Sequence, residues 1–171
     1  GDSIETDARK LQLAAFFHER AKTALKEYAL ESNKPLVKPV LLVVAKDTTH
    51  SAELKALIDS DDFRGGQFKG KVIEINTKIR GGESDVNIEK LVSLEHPDNI
   101  VEVVIHVNML KEGWDVTNVY TIAPIRAAAT AILTEQTIGR GLRLPYGERT
   151  GVALVDRLMI VAHEQFSKVV E

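Results

Sequence analysis

Apolar residues recur every three to four positions over the first part of the chain, with charged residues between them. This spacing predicts one amphipathic helix from Ile4 to about Leu30. The segment Ser32–Pro35 should end it, because a residue before proline avoids the helical region and proline has no backbone donor. The apolar face of the helix would comprise Leu11, Ala14, Ala15, Phe17, Ala21, Ala24, Leu25 and Tyr28.

The rest of the chain alternates short β-rich runs with helical patterns. Several runs are continuously apolar, which is typical of strands covered on both faces of a sheet. The predicted strands are Val40–Ala45, Val72–Asn76, Val101–Val107, Val119–Ala123 and Leu158–Ala162. The helical patterns are His50–Asp59, Ser84–Ser93 and Ala127–Arg140. This alternation predicts a parallel sheet in a three-layer α/β domain.

The two ends of the chain carry predictions of their own. Residues 1–34 are interpreted as the amphipathic helix with its linker, and residues 35–171 as the α/β domain. A further helix is expected to begin at His163, and no glycine or proline stop signal follows it before Glu171. We therefore expect the chain to be a piece of a longer polypeptide.

Composition narrows the class of protein without identifying it. The 171 residues contain no cysteine, which excludes disulfide scaffolds, thiolate metal sites and cysteine nucleophiles. A net charge of -3 gives no global attraction for nucleic acid, so any DNA contact must be local. The longest apolar runs, such as Pro39–Ala45, are too short to span a bilayer, and no signal-peptide pattern opens the chain. These features predict a cytoplasmic protein without a membrane partner.

One glycine-rich segment imitates a nucleotide-binding loop. Gly65–Lys71 has the spacing of a phosphate-binding loop, but Val72 stands where a magnesium-binding Ser or Thr is required. A true phosphate-binding loop follows a strand and opens a helix, whereas this segment precedes a predicted strand. We interpret it as a connection between two elements.

Metal chemistry has little support in the sequence. Pro97 and Asp98 followed by Glu102 faintly resemble a nuclease carboxylate pair, but Val104 replaces the lysine expected after the glutamate. We interpret residues 97–99 as a turn before a strand. The five histidines show no pairing with glutamate of the zinc-protease kind. We therefore predict no metal site.

Two arginines and two glycines stand together near the end of the predicted alanine-rich helix, in Gln136–Arg143. Each helical glycine costs about 1 kcal/mol, so another interaction should compensate. Arg140 and Arg143 are three residues apart and would share one helical face, from which two guanidinium groups can bind a phosphate chain. Alternatively, the cluster is a solvated helix end whose dipole favours cations.

A second unusual segment, Asn108–Asp115, directly follows an apolar predicted strand. In open α/β folds, ligands bind at the carboxyl edge of the sheet, where this segment should lie. Gly113 would allow the backbone to approach a ligand closely, and Asp115 offers a carboxylate to a ribose or an arginine. Trp114 is better explained by packing than by stacking on a base.

Together these segments resemble the second RecA-like domain of superfamily-two helicases and translocases. Asn108–Val116 resembles motif V, Gln136–Arg143 resembles the Q-x-x-G-R-x-x-R pattern of motif VI, and Pro39–Lys46 with the helix from His50 is similar to the weaker motif IV. The runs MLKEGWDV, EQTIGRGLRLPYG and DRLMIVAHEQF most resemble the restriction (Res) subunits of type III restriction-modification enzymes and related DEAD/DEAH-type proteins.

The resemblance implies a RecA-like helicase C-terminal domain with a central, mainly parallel sheet from Pro35 onward. Arg143 would be an arginine finger that reaches the γ-phosphate of ATP, with Arg140 beside it. The other residues that it implies at the ATP site are Gln136, Gly113, Asp115 and Gly139. The residues that it implies at the nucleic acid, the last two by position only, are Asn108, Thr77 and Lys78.

The resemblance also implies partners for this chain. A phosphate-binding loop and magnesium-holding acidic residues belong to a first RecA-like domain in this family, and neither occurs in this sequence. ATP and Mg²⁺ would therefore be held mainly by a first domain of the same polypeptide. Double-stranded DNA and a modification (methyltransferase) subunit are the further partners implied, and the isolated chain should hydrolyse ATP poorly.

Two other function classes remain open from the sequence. The chain could be a non-catalytic RecA-like module that binds nucleic acid or protein without ATP turnover. It could also be a stand-alone phosphate-binding α/β enzyme that uses the glycine-rich loop at Gly65.

Overall fold

In its described residues, the protein is an open, mainly parallel sheet with a helix of 29 residues and a helix of 11 residues on one of its faces. The computed structural model describes residues 4–76, 94, 96, 98–107, 118–125, 146, 149–161 and 168–170. Its elements in chain order are α1 (Ile4–Ser32), β1 (Val40–Val44), α2 (Thr48–Ile58), a 3-10 turn (Phe63–Gly66), β2 (Val72–Asn76), β3 (Val103–Val107), β4 (Val119–Pro124), α3 (Ala153–Asp156), β5 (Leu158–Ile160) and β6 (Lys168–Val170).

The strands follow the order β2-β3-β1-β4-β5-β6. β2, β3, β1, β4 and β5 are all parallel, and β6 pairs antiparallel with β5 at the edge. β1 lies at the centre, with Leu41 opposite Val103 of β3 and opposite Thr121 of β4. The predicted fold class, a RecA-like α/β domain with a central, mainly parallel sheet behind an N-terminal helix, is confirmed.

Both faces of the sheet are covered. On one face, α1 and α2 enclose a core with strand residues such as Val43 and Ile105, which are fully buried. On the other face, Leu42, Val104 and Ile160 are fully buried as well, and Leu94 packs against them. Burial on both sides explains why these strands read as continuous apolar runs rather than alternating ones.

Helix α1 packs directly on the sheet through Leu11, Ala14 and Ala15. It ends at Ser32 because Asn33 adopts a left-handed conformation, with φ of 51°. The amide of Lys34 then donates to the carbonyl of Ala29 at 3.1 Å, which satisfies one of the last helical carbonyls. The predicted helix is confirmed. The division of the chain after residue 34 stays a prediction, although α1 shares the core of the sheet.

Helix α2 begins at the carboxyl end of β1, as the strand-and-helix pattern predicted. Asp47 is extended, with φ of -157°, and its side chain accepts a hydrogen bond from the amide of His50 at 2.8 Å. This is an N-cap, which satisfies one of the amides that the first turn leaves unpaired. The helix ends at Ile58, one residue before the predicted Asp59.

The prediction of a helix near the C-terminus is wrong for Lys168–Val170, which form strand β6. Lys168 pairs with Ile160 and Val170 with Leu158, so pairing with the edge of the sheet replaces local helical hydrogen bonds. β-branched valines at the end of this segment are favourable in a strand. The predicted helices Ser84–Ser93 and Ala127–Arg140 lie outside the described residues. None of the described helices is long and apolar enough to cross a membrane.

Candidate functional site

The predicted site residues lie outside the part of the chain that the structure describes, so their geometry remains a prediction. They are Arg143, Arg140, Gln136, Gly139, Gly113, Asp115, Asn108, Thr77 and Lys78. The structure does describe the sheet edge from which several of these segments leave. The described residues nearest to the predicted site are the ends of the strands and the side chains that contact them.

Two predicted nucleic-acid contacts follow neighbouring strands in the chain. Asn108 comes directly after Val107, the last residue of β3, and Thr77 comes directly after Asn76, the last residue of β2. Asn76 and Val107 are register partners in the parallel pair. Both segments therefore leave the sheet at its carboxyl edge, where open α/β folds bind ligands.

The corner between β1 and α2 lies at the same edge and is fixed by hydrogen bonds. The amide of Lys46 donates to Nδ1 of His50 at 2.9 Å, so this ring nitrogen is an acceptor. The proton of the neutral imidazole must then reside on Nε2, which donates to Oδ2 of Asp7 at 2.8 Å. Asp7 belongs to the first turns of α1, so this pair connects α1 to the start of α2.

A second contact joins α1 to the carboxyl end of β4. The side chain of Lys10 is buried, and its Nζ donates to the carbonyl of Ile125 at 3.2 Å. Ile125 directly follows β4, and its amide donates to the carbonyl of Val44 at 3.1 Å. The ends of β1 and β4 and the first turns of α1 thus form one connected unit.

This edge does not contain a hydrolytic triad among the described residues. Both ring nitrogens of His50 are engaged, so the imidazole has no position left for abstracting a proton. The adjacent Ser51 donates its hydroxyl to Oε2 of Glu74 at 2.9 Å rather than to a histidine. The Asp7–His50 pair therefore fixes the edge and is not a nucleophile-activating dyad.

The glycine-rich loop at Gly65 has the context of a connection, as predicted. It lies between α2 and β2, and Gly65, Gly66 and Gly70 have positive φ values of 67°, 81° and 77°. The amide of Gly70 donates to Oδ1 of Asp59 at 2.7 Å, so a carboxylate of the chain itself takes the place of an external anion. This geometry gives no support to a phosphate-binding enzyme built on this loop.

The amino edge of the sheet holds a charged cluster that the sequence did not reveal. Glu102 precedes β3 and is buried, with only 6% of its surface exposed. Its Oε1 accepts hydrogen bonds from Nε2 of His18 at 3.0 Å and from Nζ of Lys22 at 2.8 Å. Nζ of Lys71 lies 3.2 Å from its Oε2. The carboxylate therefore joins α1 to the starts of β2 and β3.

Burial by itself raises the pKa of Glu102, but the hydrogen bonds from His18 and Lys22 outweigh it. The net result is a pKa well below the usual 4.5, so the group is ionised under all mild conditions. The sequence analysis rejected a faint nuclease pattern of Asp98 with Glu102 and predicted a turn at residues 97–99. Asp98 lies in a turn, where its amide donates to Nδ1 of His96 at 3.2 Å.

A divalent metal does not fit this cluster. His18, Glu19 and Glu102 bring three potential ligand atoms together among the described residues. Both carboxylate oxygens of Glu102 already face an ammonium group, from Lys22 or from Lys71. A cation placed there would be repelled by two positive charges at close range. The sequence analysis assigned Mg²⁺ mainly to a first domain outside this chain, and that assignment stays a prediction.

Strand β3 also contains a fully buried histidine, His106. Burial penalises its charged form and lowers its pKa to about 3. The imidazole is therefore neutral at physiological pH and is part of the folded core rather than a proton donor.

The sheet topology defines a mainly parallel α/β domain, and comparisons with known proteins identify its relatives. No family model matches the chain. It is 32% identical over 131 residues to the Res subunit of the type III restriction-modification enzyme EcoPI of Escherichia phage P1. It is 30% identical over 131 residues to the EcoP15I Res subunit of Escherichia coli. Each match covers 74% of this chain and 13% of the relative.

A shorter match, 49% identical over 39 residues, links the chain to the StyLTI Res subunit of Salmonella typhimurium and covers 23% of this chain and 4% of that protein. Among solved structures, Mss116p DEAD-box helicase domain 2 bound to an RNA duplex aligns over 82% of this chain and 47% of that one, at 13% identity and a TM-score of 0.44. Over the matched residues, the chain is homologous to the Res subunits of type III restriction-modification enzymes.

Proposed function

We propose that this chain is the second motor domain of an ATP-dependent DNA translocase or helicase of the type III restriction kind. The observation that supports it most is the homology to Res subunits over 131 residues, which are 74% of the chain. The parallel sheet supports it independently, because the proposed motif V segment follows directly on the last residue of strand β3, at the carboxyl edge of the sheet. The chain spans about 13% of those relatives, so the motor requires a polypeptide larger than this chain.

In this proposal, two RecA-like domains close over ATP and share one active site. Arg143 reaches the γ-phosphate bound to the first domain, and Arg140 lies beside it. A guanidinium group that meets the developing charge of the transferred phosphoryl group accelerates hydrolysis by about 10³ to 10⁵ in other phosphoryl-transfer systems. Gln136, Gly139, Gly113 and Asp115 line the nucleotide from the side of this domain.

Closure and opening of the two domains then move the DNA-binding residues along the double-stranded DNA. Asn108, Thr77 and Lys78 are the proposed contacts to the nucleic-acid backbone, and phosphate contacts of this kind position a protein without reading sequence. The first domain supplies the phosphate-binding loop and holds Mg²⁺, which neutralises the charge of the transferred phosphoryl group. A methyltransferase subunit and a cytoplasmic location belong to the same proposal.

DNA-stimulated ATP hydrolysis by the complete polypeptide tests the proposal. We expect Arg143→Ala to reduce kcat several hundredfold or more, because the finger acts in the transition state. Arg149→Ala is the matched control, since Arg149 is exposed and follows motif VI closely in the sequence. An active enzyme that is indifferent to Arg143 contradicts the finger assignment. A polypeptide that binds DNA but never hydrolyses ATP supports the binding-module alternative instead.

A further inference from the structure

Four hydrogen bonds at the carboxyl edge close a ring that includes α1, β1, α2 and β4. Nε2 of His50 donates to Oδ2 of Asp7 at 2.8 Å, and the amide of Lys46 donates to Nδ1 of the same ring at 2.9 Å. Nζ of Lys10 donates to the carbonyl of Ile125 at 3.2 Å. The Ile125 amide completes the ring by donating to the carbonyl of Val44 at 3.1 Å.

The side chains of this ring are removed from water. Asp7, Lys10 and His50 are exposed by 3%, 4% and 9%. Buried polar groups need partners, and these side chains depend on one another and on two strand ends. Asp7 and Lys10 are three residues apart on α1 and so face the edge together. Displacement of one strand end would therefore break hydrogen bonds that buried polar groups of α1 and α2 make.

The ring lies at the ends of the two central strands, β1 and β4, from which the chain continues to opposite sides of the sheet. From β1 the chain continues to β2 on one side, and from β4 it continues to β5 on the other. Such a switch point is where open α/β sheets bind their ligands. Ile125 is also the last described residue before the predicted motif VI helix, which begins at Ala127.

We propose that Asp7, Lys10 and His50 are positioning residues that hold the ends of β1 and β4 against α1, and thereby fix the point from which the motif VI segment leaves the sheet. This inference rests on the proposed function. The residues touch neither ATP nor DNA in this account and act through the arginines of motif VI. Helix α1 is then a functional part of the motor domain and more than a packing element.

Steady-state kinetics of the complete polypeptide give the first test. Lys10→Met should lower kcat for DNA-stimulated ATP hydrolysis about tenfold and leave KM for ATP unchanged, as expected for the loss of one hydrogen bond from the catalytic arrangement. Lys10→Arg keeps a donor and should restore most of the rate. Lys26→Met is the matched control, because Lys26 is an exposed lysine of the same helix.

A double-mutant cycle separates positioning from simple loss of stability. If Lys10 acts through the finger, Lys10→Met should cause no further loss when Arg143 is already alanine. If the reductions in kcat of the two single variants multiply in the double variant, the proposal is overturned. An increase in KM with unchanged kcat would overturn it as well.

Hydrogen exchange provides a readout that does not require activity. Peptides that cover residues 126–143 should exchange faster in Lys10→Met and in Asp7→Ala than in Lys26→Met, at a temperature where every variant is folded. Unchanged exchange in both variants overturns the positioning role. An ATPase indifferent to Arg143→Ala would refute the finger assignment in the proposed function, and the exchange experiment would still decide whether the ring holds this segment.

Discussion

Glu102 is the centre of the charged cluster at the amino edge of the sheet. Its buried carboxylate faces His18 and Lys22 of α1 and Lys71 at the start of β2. A buried carboxylate is stable only when it is paired and hydrogen-bonded, and removal of one partner leaves the others uncompensated.

We expect Glu102→Gln to lower the free energy of unfolding by about 2 kcal/mol, less than for a fully buried ion pair because water still reaches the two lysines. Urea unfolding measures the change. Glu27→Gln is the control, since Glu27 is an exposed glutamate of α1. If both variants unfold at the same urea concentration, Glu102 does not hold α1 to the sheet.

His106 predicts how the stability of the protein depends on pH. Its pKa is about 3 in the folded chain and 6.5 in the unfolded chain, so between these values only the unfolded chain binds the proton. The contribution of the neutral His106 ring to the free energy of unfolding is fully present above pH 6.5. It decreases as the pH falls below 6.5. By pH 5 the loss should reach about 2 kcal/mol.

Urea midpoints at about pH 7 and pH 5 measure this dependence. His106→Gln should remove most of the decline, because its side chain cannot bind a proton in this range. His96→Gln should retain the decline, since His96 is exposed. A decline of the same size in His106→Gln would show that other groups cause it.

Among the elements, α2 is the helix whose first turn is capped by a side chain, that of Asp47. Asp47 caps the helix by accepting from the His50 amide, and this hydrogen bond is the main cause of its lowered pKa. Asp47→Ala should therefore lower the urea midpoint, by less than Glu102→Gln does. Asp47→Asn should retain most of the stability, because an amide oxygen also caps a helix. Equal losses in the two Asp47 variants would contradict the capping role.

The elements were predictable to different degrees, and the reason is physical. The β1, β3 and β4 strands are mostly apolar and buried on both faces, a pattern that is visible in the local sequence. β6 is a short edge strand whose existence depends on pairing with Leu158–Ile160. No local pattern reports such a partner, which is why a helix was predicted there. The cap at Asp47 follows a general residue preference.

In the molecule as a whole, local sequence patterns and long-range contacts were predictable to different degrees. The predicted motifs V and VI are local patterns, and their residues lie outside the described part of the chain. The cluster around Glu102 joins residues up to 84 positions apart, and the Asp7–His50 pair joins residues 43 apart. Only the folded chain reveals such pairs, because their geometry is set by the packing of α1 on the sheet.

We propose that this domain belongs to a motor that moves along DNA. The most direct measurement is ATP-dependent displacement of a triplex-forming oligonucleotide from duplex DNA by the complete polypeptide. We expect the wild type to displace the oligonucleotide only with ATP, and Arg143→Ala to bind the same DNA with unchanged affinity but leave the triplex intact. Displacement that persists without ATP, or that is unaffected by Arg143→Ala, would contradict the account.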